Sequence, residues 1–374
     1  MKKEITTIAM GLLLASSAFA QKASDTAAST FQETLGKHFL VGAAVNVNLT
    51  NGQDPAAEAL VDQQFNQVVA ENCMKGEVNH PEVNRFDFTD GDKLADWAQK
   101  HGKTLIGHCL VWHSQPPKWM FTDAEGKQVS REVLIGRMYS HIMNVVTHYK
   151  GKVKGWDVVN EAFEDDGSYR KSPYYNIIGP EFIELAFQFA HEADPDVELY
   201  YNDYSTSKPG KREAICKLVR NLKAKGLRID AVGMQSHNGY NYPDYAEYEK
   251  SIEAFAAEGV KVMMTELDMN MLPNPEGFGG AEISQKYELQ QKYNPYVKGL
   301  DKKAQKLFNQ RYLDLFKIIQ RHKDVISRVT FWGVNDGHTW LNDWPIPGRT
   351  NYPLLIDRNN QLKPVAKEIM KMFE

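Results

Sequence analysis

The chain has 374 residues and a net charge of −4, from 44 basic and 48 acidic side chains, which excludes a strongly basic nucleic-acid binder as the first reading. Three cysteines, Cys73, Cys109 and Cys216, are too few for a disulfide scaffold, and their odd number leaves at least one thiol unpaired or linked to another chain. The 7 Trp and 17 Tyr are plentiful; most are expected in the core, and surplus exposed rings suit the apolar faces of sugars.

At the amino end, Met1, Lys2 and Lys3 precede an apolar run over residues 8–14 and the sequence Ala18, Phe19, Ala20. This has the basic start, short apolar stretch and small-residue cleavage site of a secretory signal. The run is too short for a membrane span. Residues 1–20 are therefore expected to be a signal peptide and residues 21–374 a single catalytic domain, exported to the periplasm or the medium. No cysteine follows the cleavage position, so no lipid anchor is expected.

Residues 39–45 read as a buried strand and 55–65 as a helix. A second strand over 67–72 ends in Glu71 and Asn72. A helix over 92–100 closes at Gly102, and a third strand, 104–107, delivers His108 and then Trp112 and His113. The helix at 131–150 has Ser130 as its N-cap and Gly151 just past its end. It leads into a fourth strand, 155–161, whose apolar run stops at Asn160 and Glu161. Helices at 180–193, 211–225 and 245–258 alternate with strands at 198–201, 231–234 and 261–265. These end in Asn202 and Asp203, in Gln235, Ser236 and His237, and in Glu266. A polar loop over 270–302, a helix to His322, a strand at 328–331, a loop over 336–352 and a closing helix at 364–373 complete the chain. Cys73 and Cys109 lie near the ends of consecutive strands, so a bridge between them stands as an alternative to buried free thiols.

Eight strands alternating with helices predict an α/β fold, a parallel sheet closed into a (β/α)8 TIM barrel. Polar residues gather where the strands end, the rim at which such barrels place their sites. Glu161 and Glu266 follow apolar runs there. A half-buried carboxyl resists ionisation and can hold a proton near neutrality, which makes Glu161 a candidate general acid. A strand-end Glu is also a common cap or ion-pair partner, so the pair carries the argument. Two carboxyls at two strand ends are the minimum apparatus for cleaving a glycosidic bond. Asn160, otherwise a turn residue, could bond a sugar hydroxyl beside the broken bond. His108, His113 and His237 lack metal-ligand spacing, and no metal or cofactor is expected. Trp112, Trp332 and Trp340 also follow strand ends, and Trp340 lies in a loop where it is read as a ligand contact. There is no GxSxG elbow, P-loop or GxGxxG fingerprint.

In family order, the stretches ENCMKGE (71–77), GHCLVWHSQ (107–115), WDVVNEAF (156–163), YNDY (201–204), QSH (235–237), TELDM (265–269) and FWGVNDGHTWL (331–341) resemble glycoside hydrolase family 10, the endo-1,4-β-xylanases. The resemblance implies that Glu161 is the acid/base and Glu266 the nucleophile of a retaining double displacement. It further implies that Glu71, Asn72, Lys75, His108, Trp112, Asn160, Gln235, His237, Trp332 and Trp340 line the sugar sites nearest the cleavage point. Tyr204 resembles an aromatic on the leaving-group side, and Asp268 the residue that orients the nucleophile through His237. Gly76, Cys109 and His338 depart from the pattern, which bears on loop shape and distal subsites. The implied partner is xylan or its oligosaccharides, acted on by a monomer without nucleic acid or a membrane anchor. Two rivals stay open: a β-1,4-glycanase acting on glucan or mannan, and a non-catalytic glycan-binding protein.

Overall fold

The computed structural model describes residues 29–276, 278 and 283–374; the expected signal peptide lies outside them, as does part of the 270–302 loop. Eight strands form the barrel: β1 Leu40–Val45, β2 Gln67–Ala70, β3 Thr104–Trp112, β4 Val153–Asn160, β5 Glu198–Asp203, β6 Ala231–Met234, β7 Lys261–Asn270 and β8 Ile326–Phe331. Each pairs in parallel with its neighbour. The ring closes where Leu40 to Ala43 of β1 register with Arg328 to Phe331 of β8. A three-residue strand, His237–Gly239, adds to the end of β7.

Strands covered on both faces bury nearly every residue, which is why they read as continuous apolar runs. The outer face packs on helices, including Pro55–Gln64, Arg131–His148 and Lys302–Arg321, whose first turns are capped by the side chains of Asp54, Ser130 and Asp301. Inside the barrel, Ala44, Val69, Ile106, Tyr200, Ala231 and Met263 form a separate apolar layer beneath Trp332. Arg328 is also interior, 3.5 Å from the Asp157 carboxylate. Gly155 is required by this packing, since a Cβ there would lie 2.1 Å from the Tyr200 hydroxyl. All three cysteines are buried and free, which closes the alternative of a Cys73–Cys109 bridge. Among the described residues, no helix is long and apolar enough to cross a membrane.

Two strands run past their predicted ends. β3 continues from Gly107 to Trp112 and β7 from Thr265 to Asn270. His108, Glu266 and Asp268 are thus held by strand backbone, which fixes them more firmly than a loop would.

Candidate active site

Every candidate residue reaches the rim at the carboxyl ends of the strands. Glu161 follows β4 directly, with φ +60°, a left-handed backbone that costs a non-glycine residue about 1–3 kcal/mol. Its side chain is buried and accepts from Trp112 Nε1 at 2.8 Å, Gln235 Nε2 at 2.9 Å and Asn160 Nδ2 at 3.2 Å. Burial pushes the Glu161 carboxyl above the ordinary glutamate range. The nearby His113 and the Gln235 hydrogen bond offset only part of that rise.

Glu266 sits within β7 under opposite influences. Burial alone would raise it too, yet the His237 hydrogen bond, the His108 and His237 charges and the Asn202 amide outweigh burial and hold it below the usual value. His237 Nε2 lies 3.0 Å from Glu266 Oε2, and its Nδ1 lies 2.9 Å from Asp268 Oδ2. Against the cost of burying the cation, these two carboxylates drive the imidazole up to about 10, so it stays protonated across neutrality. Asp268 Oδ2 also accepts from Trp340 Nε1 at 2.8 Å.

The two carboxyls are joined by three amides. Gln235 Nε2 and Asn202 Nδ2 both donate to Asn160 Oδ1, at 3.2 and 2.9 Å, while Asn202 Nδ2 also donates to Glu266 Oε1 at 2.7 Å. With one carboxyl disposed to keep its proton and the other to lose it, the arrangement can give a proton and attack an electrophile in one event.

The flanking residues form the walls. Lys75 Nζ donates to Asn72 Oδ1 at 3.0 Å and Gln115 Oε1 at 2.8 Å, and stands 4.8 Å from the Trp112 ring centre. Beside it, burial raises Glu71 despite the Lys75 charge. His108 bonds Asp157 at 2.9 Å and meets Trp332 edge to face. Trp340 stacks on Trp344 with centroids 4.2 Å apart. A cleft of about 580 Å³ opens beside Tyr204 and His237, bounded by Lys208, Asn238 and Tyr242.

The sequence reading missed Asn202 and Arg170. Asn202 was visible within YNDY, but a strand-end Asn reads as a turn residue; here it is fully buried and touches Asn160, Thr265 and Glu266. Arg170 donates to the Glu161 carbonyl at 2.9 Å and to the Tyr204 hydroxyl, from a loop without any periodic signal. His338, the departure from pattern, pairs with Asp54 at 3.0 Å.

Comparison with known proteins identifies the family. The model of glycosyl hydrolase family 10 matches residues 30–372. An endo-1,4-β-xylanase A of Xylanibacter ruminicola is 61% identical over 373 residues, covering all of both chains. A GH10 endoxylanase retrieved from a sugarcane soil metagenome superposes with a TM-score of 0.87 at 43% identity, over 91% of this chain and 99% of its own. A xylanase of Paenibacillus barcinonensis superposes with a TM-score of 0.83 at 34% identity, over 92% and 99%.

Proposed function

The chain belongs to glycosyl hydrolase family 10, and from that membership and the rim geometry we propose that it is a retaining endo-1,4-β-xylanase. The observation that carries the reading is the opposed tuning of two buried carboxyls, Glu161 held above its usual range and Glu266 below it. The names of its relatives support xylan as the substrate.

In this reading, Glu266 attacks the anomeric carbon while Glu161 protonates the departing glycosidic oxygen, forming a covalent glycosyl ester and breaking the glycosidic bond. Glu161, now ionised, takes a proton from water as that water displaces the ester. Retention follows from two inversions and requires carboxyls about 5–5.5 Å apart. Asn160 is placed to bond a hydroxyl of the reacting sugar. Glu71, Asn72, Lys75 and Trp112 hold the sugars on one side, and the cleft beside Tyr204 receives the leaving group. Asp268 acts through His237, which it holds charged against Glu266. Carboxyls and water supply every step, so the reaction needs no cofactor. We further propose, from the basic start and small-residue cleavage motif alone, that residues 1–20 are a leader and the enzyme is exported.

A reducing-sugar assay on xylan, glucan and mannan separates the xylanase from both rivals. Glu161→Ala is expected to lose activity on xylan but retain much of its kcat/KM on an aryl xylobioside whose leaving group needs no proton, with turnover stalled at the ester for want of a base. Added azide then restores turnover and yields a β-glycosyl azide. An α-azide would show that the two roles are reversed.

A further inference from the structure

Behind Glu161 lies a set of buried polar groups that the double displacement leaves unused. Three hydrogen bonds from β5 and its flank define the left-handed turn: Glu161 N–H donates to the Asn202 carbonyl at 2.9 Å, Ala162 N–H donates to the Tyr201 hydroxyl at 3.0 Å, and that hydroxyl donates to Asp203 Oδ2 at 2.6 Å. A phenol that accepts from one group and donates to another is fixed in orientation. Asp203 Oδ1 accepts from Lys211 Nζ at 3.1 Å and from Tyr204 N–H at 2.9 Å. Lys211 Nζ also lies 3.4 Å from Asp165, in the loop that leaves Glu161, and 4.1 Å from the Tyr204 ring centre. Tyr201, Asp203 and Lys211 have no exposed surface. A fully buried ion pair is a poor source of stability, so its presence here calls for another reason.

We infer that Tyr201, Asp203 and Lys211 are positioning residues for the proton donor. Tyr201 and Asp203 brace the turn that aims Glu161, and the Asp203–Lys211 pair sets the charge behind it. This rests on the proposed role of Glu161.

The charged and titratable groups facing Glu161 come from several elements. His113, Cys109 and Lys75 approach from the side of β3 and the loop after β2, Arg170 from the following loop, Tyr201 and Asp203 from β5 and Tyr204 just past its end, and Glu266 from β7 across the amide chain. Of these, the Asp203 carboxylate resists ionisation of Glu161, whereas His113 favours it. Removing Asp203 leaves Lys211 less compensated, and both changes favour the ionised form. Removing Lys211 has the opposite sign.

The test is the alkaline limb of kcat/KM on xylo-oligosaccharides. Asp203→Asn is expected to move it down, and Lys211→Met to move it up, each on the order of one pH unit. Unmoved limbs, or two shifts of the same sign, overturn the inference. Tyr201→Phe keeps every charge and serves if a single charge variant does not fold. It is expected to lose about tenfold more rate on xylo-oligosaccharides, which need the proton, than on dinitrophenyl xylobioside, which does not. Equal losses on both substrates overturn the brace. The azide product of Glu161→Ala tests the role of Glu161 separately, so a β-azide combined with unmoved limbs and equal losses counts against this inference alone.

Discussion

His237 stands between two carboxylates, and the tuning of Glu266 depends on it. His237→Ala removes a cation that stays charged up to about 10, leaving Glu266 and Asp268 to repel each other. The Glu266 carboxyl then rises, so the acid limb of the kcat/KM profile is expected to move to higher pH. The misaligned nucleophile is expected to cost roughly 10²-fold in kcat. Circular dichroism should be unchanged, because the imidazole is at the rim; an unfolded variant would make it a packing residue. The two carboxyls proposed as the catalytic pair were legible because each Glu ends an apolar run. Asn160 and Gln235 were legible as single sugar-site candidates, but the amide chain they form with Asn202 was not, since it exists only where three strands converge on one point.

The loop after β8 carries the selectivity argument. Xylose and glucose units differ by one hydroxymethyl group, which simple binding separates by only about 1–3 kcal/mol. A steric wall that shifts the bulkier ring away from Glu266 separates them further. Trp340, backed by the parallel Trp344 ring and tied through its indole N–H to Asp268, is proposed as such a wall. Trp340→Ala is expected to lower activity on xylan and narrow the kcat/KM ratio of aryl xylobioside over aryl cellobioside. Trp340→Phe, which keeps a ring but loses the N–H donor, should preserve more of the ratio. Equal losses on both substrates would make Trp340 a platform only. At this scale the sequence located the elements better than their ends. The third strand was stopped at Gly107 because His108 broke the apolar run, although a barrel strand can carry a polar residue inward where Asp157 meets it. The short strand His237–Gly239 was missed because three residues give no alternation to read.

For the whole molecule, alternation of strands and helices was sufficient for the barrel, while the loops that shape the cleft follow no period. Stability also has a built-in pH dependence away from the site. His141 Nε2 donates to the Leu110 carbonyl at 3.1 Å, so its Nδ1 accepts from His80 Nδ1 at 3.2 Å, and both rings are buried in neutral form. Burial lowers His80 to about 4 and His141 to about 3. The unfolded chain therefore binds more protons below about 6.5, and this stability is complete above that pH and lost as pH falls towards 4 and 3. The melting temperature is expected to fall by roughly 5 °C or more between pH 6.5 and 4, with a shallower slope in His141→Gln. Equal slopes would remove the pair from the acid response. The central claim, that Glu266 forms the covalent intermediate, is tested most directly by trapping. A 2-deoxy-2-fluoro xylobioside with a dinitrophenolate leaving group slows both steps but keeps the first accessible, so the glycosyl ester accumulates. Peptide mass spectrometry of the inactivated protein is predicted to place the sugar on Glu266; a label on Glu161, or turnover with no adduct on any carboxylate, would contradict the account.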